Sequence, residues 1–523
     1  MAGPAAVTAS EGPAAHLLYQ GKWWNHSGIL ALNLLLVFIL LTSSTNGFDG
    51  SMMNGLQAVP HWVSFFGKPQ GATLGLYNAI QNIGSLAAIP FAPYVADHFG
   101  RRTGIILGCL CMFLATGLQA GAQNNAMFIA GRGLVGFGVS FAHLASALLI
   151  VELAYPSQRA KLSSLYNTMW FTGSIIAAAT TLGTFRIDGA ASWRIPSAMM
   201  GLVPVLQMII IWFLPESPRW LIAHGREEEA VRVLAKYHAI NRGDLNDELV
   251  QFEREEIKEA LRLEAEAAKS TSYLSLLRTP GNRRRLRIVV AIAFFSQWSG
   301  NGIASYYLDI VLGKLESVLR TRLRFSTSTW EWPFTPVIII ATTASLFVEK
   351  IGRRKLFLTS NAGMLFAYVL WTTGAGVNAN NTSNRNAANL VMASIFIFNG
   401  FYAIAYTPLL VSYTVEITPF QIRAKMFAIM NVSVTASSFS TSKYVNPVAQ
   451  DAIKWKYYIV YVVWLCFELG FIWMYLVETK GRSLEETAAL FDGEDALKEL
   501  ENRAAHDLAA PGTPSDEKFD GKV

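Results

Sequence analysis

Long apolar stretches, separated by short polar segments, occur along almost the whole chain. Gly28 to Phe48, for example, is an uncharged run of about 21 residues, and roughly 20 residues cross the ~30 Å hydrocarbon layer as a helix. The pattern predicts twelve membrane helices, with the eighth poorly defined, near 28–48, 73–95, 103–122, 126–151, 162–184, 195–214, 288–312, 325–348, 356–377, 387–413, 424–448 and 457–477. We therefore expect an all-α membrane protein.

Three short charged motifs occur twice, in the same order, about half the chain apart. The pairs are Gly100-Arg101-Arg102 with Gly352-Arg353-Arg354, Glu152 and Arg159 with Glu416 and Arg423, and Pro215-Glu216-Ser217-Pro218-Arg219 with Val477-Glu478-Thr479-Lys480-Gly481-Arg482. The offsets (352 − 100 = 252, 416 − 152 = 264, 478 − 216 = 262) are nearly equal. They indicate a duplicated six-helix unit, an arrangement found in one large class of transporters.

These repeats divide the chain into five parts: an N-terminal tail (1–27), a six-helix bundle (28–214), a linker (215–287), a second six-helix bundle (288–477) and a C-terminal tail (478–523). Residues 227–268 are rich in Glu, Lys, Arg, Ala and Leu, with apolar residues at helical spacing. This pattern predicts two or three amphipathic helices in the linker.

Composition and charge narrow the function. Apolar residues make up 52% of the chain and charged residues only 15%, which excludes an ordinary globular enzyme. No nucleophile, metal-ligand or phosphate-binding constellation occurs, so we expect neither an enzyme nor a cofactor. The net charge of +6 comes from basic residues at one end of the predicted helices. That asymmetry predicts cytoplasmic termini and argues against nucleic-acid binding.

The repeated charges lie at the predicted cytoplasmic ends of the helices. Charges of the two bundles that pair when the inner side is closed must separate when it opens, so they would act as a gate. The predicted gate residues are Arg101, Arg102, Glu152, Arg159, Glu216, Arg219, Arg353, Arg354, Glu416, Arg423, Glu478 and Arg482. The alternative is that these arginines only fix the topology.

Several motifs resemble the sugar porter family of the major facilitator superfamily. They are Gly-Phe-Asp-Gly at 47–50, Ala-Asp-His-Phe-Gly-Arg-Arg at 96–102, Gly-Arg-Gly-Leu-Val-Gly-Phe-Gly at 131–138, Pro-Glu-Ser-Pro-Arg-Trp at 215–220 and Val-Glu-Thr-Lys-Gly-Arg at 477–482. Further segments at 166–170, 300–307 and 444–447 are more similar to the fungal lactose and cellodextrin permeases than to the hexose carriers. The resemblance implies a monomeric plasma-membrane transporter whose ligands are a sugar and protons and whose surroundings are the lipid bilayer.

Asp49 and Arg132 are charges inside predicted membrane helices. Such charges are costly, so each is a functional candidate and the natural partner of the other. If the pair separates during transport, Asp49 in apolar surroundings would take up a proton. The resemblance supports this role, because related proton symporters have an aspartate at this position. The alternative is a static ion pair.

Sugar recognition requires amides and aromatic faces inside an apolar cavity. The resemblance suggests as binding residues Asn167, Trp170, Gln297, Trp298, Asn301 and Tyr306. Asn167 stands where hexose carriers have Gln, and Val411 stands where they have Trp. These smaller side chains would enlarge the cavity and favour a disaccharide, although any single polar residue could instead serve helix packing.

Residues 313–335 depart from the family pattern. They carry Lys314, three arginines and Glu331, and the apolar remainder, at 337–348, is too short to span a bilayer. We expect either a different encoded segment or a distorted eighth helix. Overall, the sequence predicts a proton symporter for a lactose- or cellobiose-like disaccharide. A hexose transporter and a sugar sensor without transport remain the alternatives.

Overall fold

The computed structural model describes residues 15–270, 273–306, 351–380, 384–439, 445–480 and 490–491. Within these ranges the chain is helical, and the predicted all-α class is confirmed. The predicted helix at 325–348 and the unusual segment 313–335 lie outside the described residues.

The first half and the linker contain thirteen helices. They are α1 (Ser27–Leu56), α2 (Pro60–Phe65), α3 (Gly71–Ala88), α4 (Ala92–His98), α5 (Arg101–Ala120), α6 (Asn125–Leu153), α7 (Pro156–Phe185), α8 (Ala191–Met199), α9 (Leu202–Ile210), α10 (Pro218–Ala223), α11 (Glu227–Tyr237), α12 (Glu248–Ser270) and α13 (Ser275–Arg278). The described part of the second half adds α14 (Pro280–Trp298), α15 (Asn301–Tyr306), α16 (Arg353–Asn380), α17 (Arg385–Ile417), α18 (Phe420–Ser437), α19 (Asn446–Ile453) and α20 (Tyr457–Tyr475).

Six helical stretches in the described residues are long and apolar enough to cross a membrane. They are Ser27–Leu56, Arg101–Ala120, Asn125–Leu153, Ala191–Ile210, Asn386–Ile417 and Asn446–Tyr475. Two predicted spans, one of them part of the stretch Ala191–Ile210, are interrupted where the sequence places proline or glycine. The predicted span 73–95 breaks between α3 and α4 around Pro90, and the span 195–214 breaks at Gly201. These residues weaken helices because proline lacks an N–H and glycine is conformationally free.

The break between α14 and α15 matters most for the site. The predicted span 288–312 bends at Gly300, whose φ of +101° is accessible to glycine but strained for other residues. Tyr368 donates a hydrogen bond to the Gly300 carbonyl at 2.9 Å, and its ring would meet any side chain added at Gly300. The bend places Asn301 at the start of a new helical segment.

Each half has its own hydrophobic core. Leu36, Ile105 and Leu149 belong to the core of the first half. Ile292 and Phe357 belong to that of the second. Two separate cores fit the duplicated unit inferred from the repeats.

The two halves meet mainly through α3. Helix α3 contacts α18 and α19 of the second half, and Asn82 Nδ2 donates to Ser438 Oγ at 3.0 Å. We call the end of the bundles that carries Arg101, Glu152 and Glu216 the charged face, and the other end the opposite face. Helix α3 begins at the opposite face, after the loop that follows α2. Its contact with α18 and α19 therefore lies toward the opposite face.

The linker helices pack beside the charged face. His238 joins them to the first half, because its Nε2 lies 3.1 Å from the carbonyl oxygen of Leu153, at the end of α6, and its Nδ1 lies 2.6 Å from Glu253 of α12. His238, at the end of α11, thus connects α6 with α12. Helix α12 also contacts α18, so the linker touches both halves.

Helices α1 and α7 approach so closely that only glycine fits between them. A Cβ atom at Gly47 would collide with the backbone carbonyl of Trp170, and one at Gly173 with the backbone carbonyl of Ser44. Small residues that allow backbones to approach are the usual basis of helix packing in membranes.

Replacing Gly47 should separate α1 from α7. We expect Gly47→Ala to lower the yield of monodisperse protein and its thermal stability, because the rigid backbone of α7 cannot move aside. Gly183→Ala is the matched control, since nothing lies within 4 Å of a Cβ there; it should be neutral, or stabilising by up to about 1 kcal/mol. Size-exclusion profiles and thermal unfolding in detergent measure both, and equal behaviour of the two variants would contradict the close-packing account.

Candidate functional site

Asp49 of α1 and Arg132 of α6 form a buried ion pair. Arg132 Nη1 lies 3.0 Å from Asp49 Oδ1 and Nη2 lies 3.4 Å from Oδ2. The two side chains are 0% and 1% exposed, respectively. Two parallel contacts between a guanidinium and a carboxylate give the pair a defined orientation.

A third helix holds the arginine in place. Arg132 Nε donates to the carbonyl oxygen of Tyr77 in α3 at 2.7 Å. The guanidinium thus links α1, α3 and α6. Breaking a buried ion pair leaves an uncompensated charge, which is costly.

Asn301 offers an unoccupied polar atom inside the second half. Its Nδ2 donates to Tyr402 Oη at 3.3 Å, whereas its Oδ1 is buried and has no hydrogen-bond partner among the described residues. Buried polar atoms are normally paired, so an exception is a candidate ligand-binding atom. A sugar hydroxyl would supply the missing donor.

Tyr402 of α17 was missed by sequence reasoning. Its hydroxyl donates to the Ser296 carbonyl at 2.8 Å, and its ring stacks on Tyr406 at 5.4 Å between centroids. The ring also stacks on Phe398 at 6.2 Å, so neighbouring rings of α17 cover both of its faces. Regular spacing of tyrosines at 402 and 406 was the available signal.

The other predicted sugar-binding residues differ in their surroundings. Gln297 is half-buried, and its Nε2 donates to Ser296 Oγ at 3.3 Å. Trp298 turns toward α18 and α20, since its Nε1 donates to the Ser437 carbonyl at 3.2 Å and its ring lies 5.2 Å from Trp464. Trp298 therefore has packing partners in the structure.

Of three further predicted sugar-binding residues, the structure describes the side chain of one. Trp170 is half-buried on α7, with its ring 5.1 Å from Phe171. The side chains of Asn167 and Tyr306 lie outside the described part of the structure, although the helices that carry them are described.

Charged residues of the three motifs in the first half form one network. Arg101 pairs with Glu152 through two contacts of 2.9 and 3.0 Å. Glu216 accepts from the backbone N–H groups of Arg101, Arg102 and Ser217 at 2.9–3.2 Å. Burial raises the pKa of Glu216, and these backbone hydrogen bonds oppose that shift. Gly100, with φ of +100°, turns the chain so that the backbone reaches Glu216.

The second half repeats this network almost atom for atom. Arg353 contacts Glu416 at 3.0 and 3.2 Å. Glu478 accepts from the backbone N–H groups of Arg353 and Arg354 at 2.9 and 3.2 Å. Gly352 has φ of +98°. In both halves, the motif joins the end of one membrane helix to the start of another.

Two predicted gate arginines contact α12 of the linker, one of them, Arg219, from within the linker itself. Arg159 lies 3.7 Å from Glu253, and Arg219 lies 2.5 Å from Glu264, both glutamates belonging to α12. Arg423, the counterpart of Arg159, instead donates to the Thr418 carbonyl at 3.3 and 3.4 Å. Arg482 lies outside the described residues. These contacts lie within one half or reach α12, and pairing across the halves remains a prediction.

Glu468 is a second buried carboxylate that sequence reasoning missed. It is 0% exposed, and neither oxygen has a hydrogen-bond partner in the part of the chain that the structure describes. The available signal was simple, since Glu468 is the sole acidic residue in the predicted span 457–477. Burying a carboxyl group without a hydrogen-bond partner is costly in such surroundings.

The family profile described as "Sugar (and other) transporter" matches residues 35–491. A high-affinity glucose transporter of Kluyveromyces lactis is 30% identical over 459 residues, which cover 84% of this chain and 81% of the relative. A probable polyol transporter of Arabidopsis thaliana is 26% identical, covering 88% and 94%.

Solved structures show the same architecture. The inward open conformation of the xylose transporter XylE from E. coli superimposes with a TM-score of 0.71 at 20% identity, covering 88% of this chain and 100% of that one. The proton:xylose symporter XylE bound to 6-bromo-6-deoxy-D-glucose gives a TM-score of 0.65 at 22% identity, covering 89% and 100%. The predicted twelve-helix major facilitator fold is therefore confirmed, with its eighth helix outside the described residues.

The relatives named are transporters, as the lack of an enzyme-like constellation in the sequence led us to expect. With its duplicated charged networks, its apolar helices and a family profile that extends over most of its length, this chain belongs to the sugar transporter family of the major facilitator superfamily.

Proposed function

We propose that this protein is a proton-coupled symporter that imports a lactose- or cellobiose-like disaccharide. The observation that carries the proton coupling is the buried Asp49–Arg132 pair. A buried ion pair is an inefficient way to stabilise a fold, because an apolar pair of similar volume often stabilises the protein as well or better. A proton carrier, in contrast, needs a carboxyl group whose partner can leave.

The coupling would follow from the geometry of α1 and α6. While Arg132 holds Asp49, as in the structure, the guanidinium compensates the charge of the carboxylate. Movement of α1 relative to α6 would separate the pair, and the uncompensated carboxylate would bind a proton. Sugar binding beside α15, which contacts α1, would link this step to substrate.

The disaccharide proposal rests on the polar atoms near Asn301 and on the small side chains at 167 and 411. The buried Oδ1 of Asn301, which has no hydrogen-bond partner among the described residues, offers an acceptor for a sugar hydroxyl beside Tyr402. A hexose transporter is the alternative, and the glucose transporters among the relatives favour it. A sugar sensor is the second alternative.

We further propose that the charged face lies in the cytoplasm and that the protein acts as a monomer in the plasma membrane. The basic residues of the repeated motifs gather at this face, as the positive-inside rule requires. Both termini would then be cytoplasmic.

Uptake of labelled sugars decides among these functions. In transporter-deficient cells, labelled lactose and cellobiose should accumulate, a protonophore should abolish the accumulation, and excess glucose should compete poorly. Uptake blocked by glucose would favour the hexose transporter. Sugar binding without any uptake would favour the sensor.

Neutralising Asp49 should uncouple transport. Asp49→Asn in proteoliposomes should lose uphill accumulation driven by a pH gradient yet retain sugar exchange, because an amide cannot carry a proton. Asp188→Asn is the control, since Asp188 is fully exposed. Unchanged pH-driven accumulation in Asp49→Asn would refute the assignment.

Neutralising Arg132 should give the linked result. Without the guanidinium, ionised Asp49 loses its stabilising partner, so the pH optimum of uptake in Arg132→Gln should move upward. An optimum that stays in place would separate the arginine from the proton step.

Removing the amide of Asn301 should weaken sugar binding. We expect Asn301→Ala and Gln297→Ala to cost roughly 1–3 kcal/mol each, the usual loss for a buried polar contact, with normal surface expression. Trp298→Phe provides a comparison, because it removes an indole whose N–H bonds to Ser437 rather than to a ligand. Sugar affinity is measured by binding in detergent, and normal affinity in both alanine variants would place the site elsewhere.

The duplicated networks should control the rate of alternation more than sugar affinity. Glu152→Gln and Glu416→Gln each remove the carboxylate that anchors an arginine, so uptake should slow while binding in detergent changes little. Glu229→Gln breaks an exposed pair with Arg226 in the linker and should have little effect. Wild-type uptake rates in both network variants would show that the motifs only fix topology.

A further inference from the structure

A groove of about 380 Å³ lies on the outside of the second half, between α14 and α20. Two arginines and an apolar surface form its walls. Its lining includes Arg284, Arg287, Phe467, Gly470, Met474 and Tyr475. The groove is distinct from the Asp49–Arg132 pair and from Asn301.

The basic end of the groove lies at the charged face. Arg284 and Arg287 occupy the first turns of α14. Arg287 lies over the Tyr475 ring at 5.9 Å and Arg284 over the Phe491 ring at 5.4 Å. Among the described residues, no carboxylate forms a salt bridge with either guanidinium. Both are therefore available to an anion from outside the chain.

The remainder of the groove is apolar and open. Phe467 is 53% and Met474 61% exposed. Gly470 leaves a gap in the wall, because nothing lies within 4 Å of a Cβ built there. These residues lie on a membrane-spanning helix, so their exposed surface faces hydrocarbon rather than water.

We propose that this groove binds an anionic phospholipid. Its phosphate would contact Arg284 and Arg287, and one acyl chain would lie along Phe467, Gly470 and Met474. The charge complementarity fits this ligand, since guanidinium groups bind phosphate in a fork geometry. Basic pockets between membrane helices at the cytoplasmic side recognise anionic headgroups in the same way. A free phosphate would satisfy the arginines but leave the apolar part of the groove unfilled.

A lipid in this groove would contact α14, the helix that carries candidate sugar-binding residues. Helix α14 begins at the groove and ends next to Gln297 and the bend at Gly300. A lipid bound between α14 and α20 would therefore stabilise the position of that bend.

The test uses the full chain, purified in detergent with phosphatidylcholine, to which phosphatidylserine is added. Bound lipid is counted by native mass spectrometry, and affinity is taken from the rise in melting temperature with lipid concentration. Phosphatidylserine should bind and stabilise, whereas phosphatidylcholine and inorganic phosphate should not. If inorganic phosphate stabilises equally, the site is an anion site and the lipid proposal is wrong.

Two kinds of variant probe the two ends of the groove. Arg284→Gln and Arg287→Gln should each weaken phosphatidylserine binding about five-fold, and the double variant about 25-fold, which corresponds to roughly 1 kcal/mol per arginine near an anionic lipid. Gly470→Leu keeps every charge but fills the apolar part, and it should also weaken phosphatidylserine binding. Arg283→Gln is the matched control, because Arg283 is exposed on the same helix and does not line the groove.

The outcomes separate the alternatives. Loss in the double variant and in Gly470→Leu, with full binding in Arg283→Gln, supports the proposal. An equal loss in Arg283→Gln would indicate a general basic surface and overturn it, as would undiminished binding in Gly470→Leu. Melting temperatures in phosphatidylcholine alone verify that each variant is folded; Arg287→Gln, an exposed position, keeps the test decisive if another variant fails to fold.

Discussion

A charge inside a membrane protein needs a partner, because the surrounding hydrocarbon provides none. Asp49 and Arg132 show the consequence most clearly. Their mutual contacts, together with the Tyr77 carbonyl, determine how α1, α3 and α6 fit together. A change in the protonation of one carboxyl group would thus alter the contacts among three helices of the first half.

The charged face applies the same constraint at the edge of the membrane. Glu216 and Glu478 each bind two consecutive backbone N–H groups at the start of a helix, after a glycine with positive φ. A carboxylate at a helix N-terminus is favourable because the helix dipole and the free N–H groups point toward it. The two halves thereby obtain the same local shape from short motifs, and the rest of each bundle is free to diverge.

The sequence allowed the helical class, the duplication and most helix positions to be predicted, because apolar runs and recurring motifs are local signals. The motifs also identified the charged residues of each network, but the pairing expected from the sequence was across the two halves, and the pairs Arg101–Glu152 and Arg353–Glu416 lie within one half. The bends were not predicted, since Gly300 is held by Tyr368, about seventy residues away in the chain. Tyr402 and Glu468 were missed for a related reason: their significance depends on what surrounds them in space. The linker contacts of Arg159 and Arg219 likewise depend on where α12 lies.

The central claim is that sugar and protons cross together. The most direct measurement places the unmodified protein in vesicles that contain a pH-sensitive dye, with no imposed gradient, and adds lactose or cellobiose outside. The account predicts that the interior acidifies as the sugar enters, and that a protonophore removes the pH change but not the downhill sugar entry. Sugar entry without any acidification would contradict it and would identify the protein as a facilitative carrier.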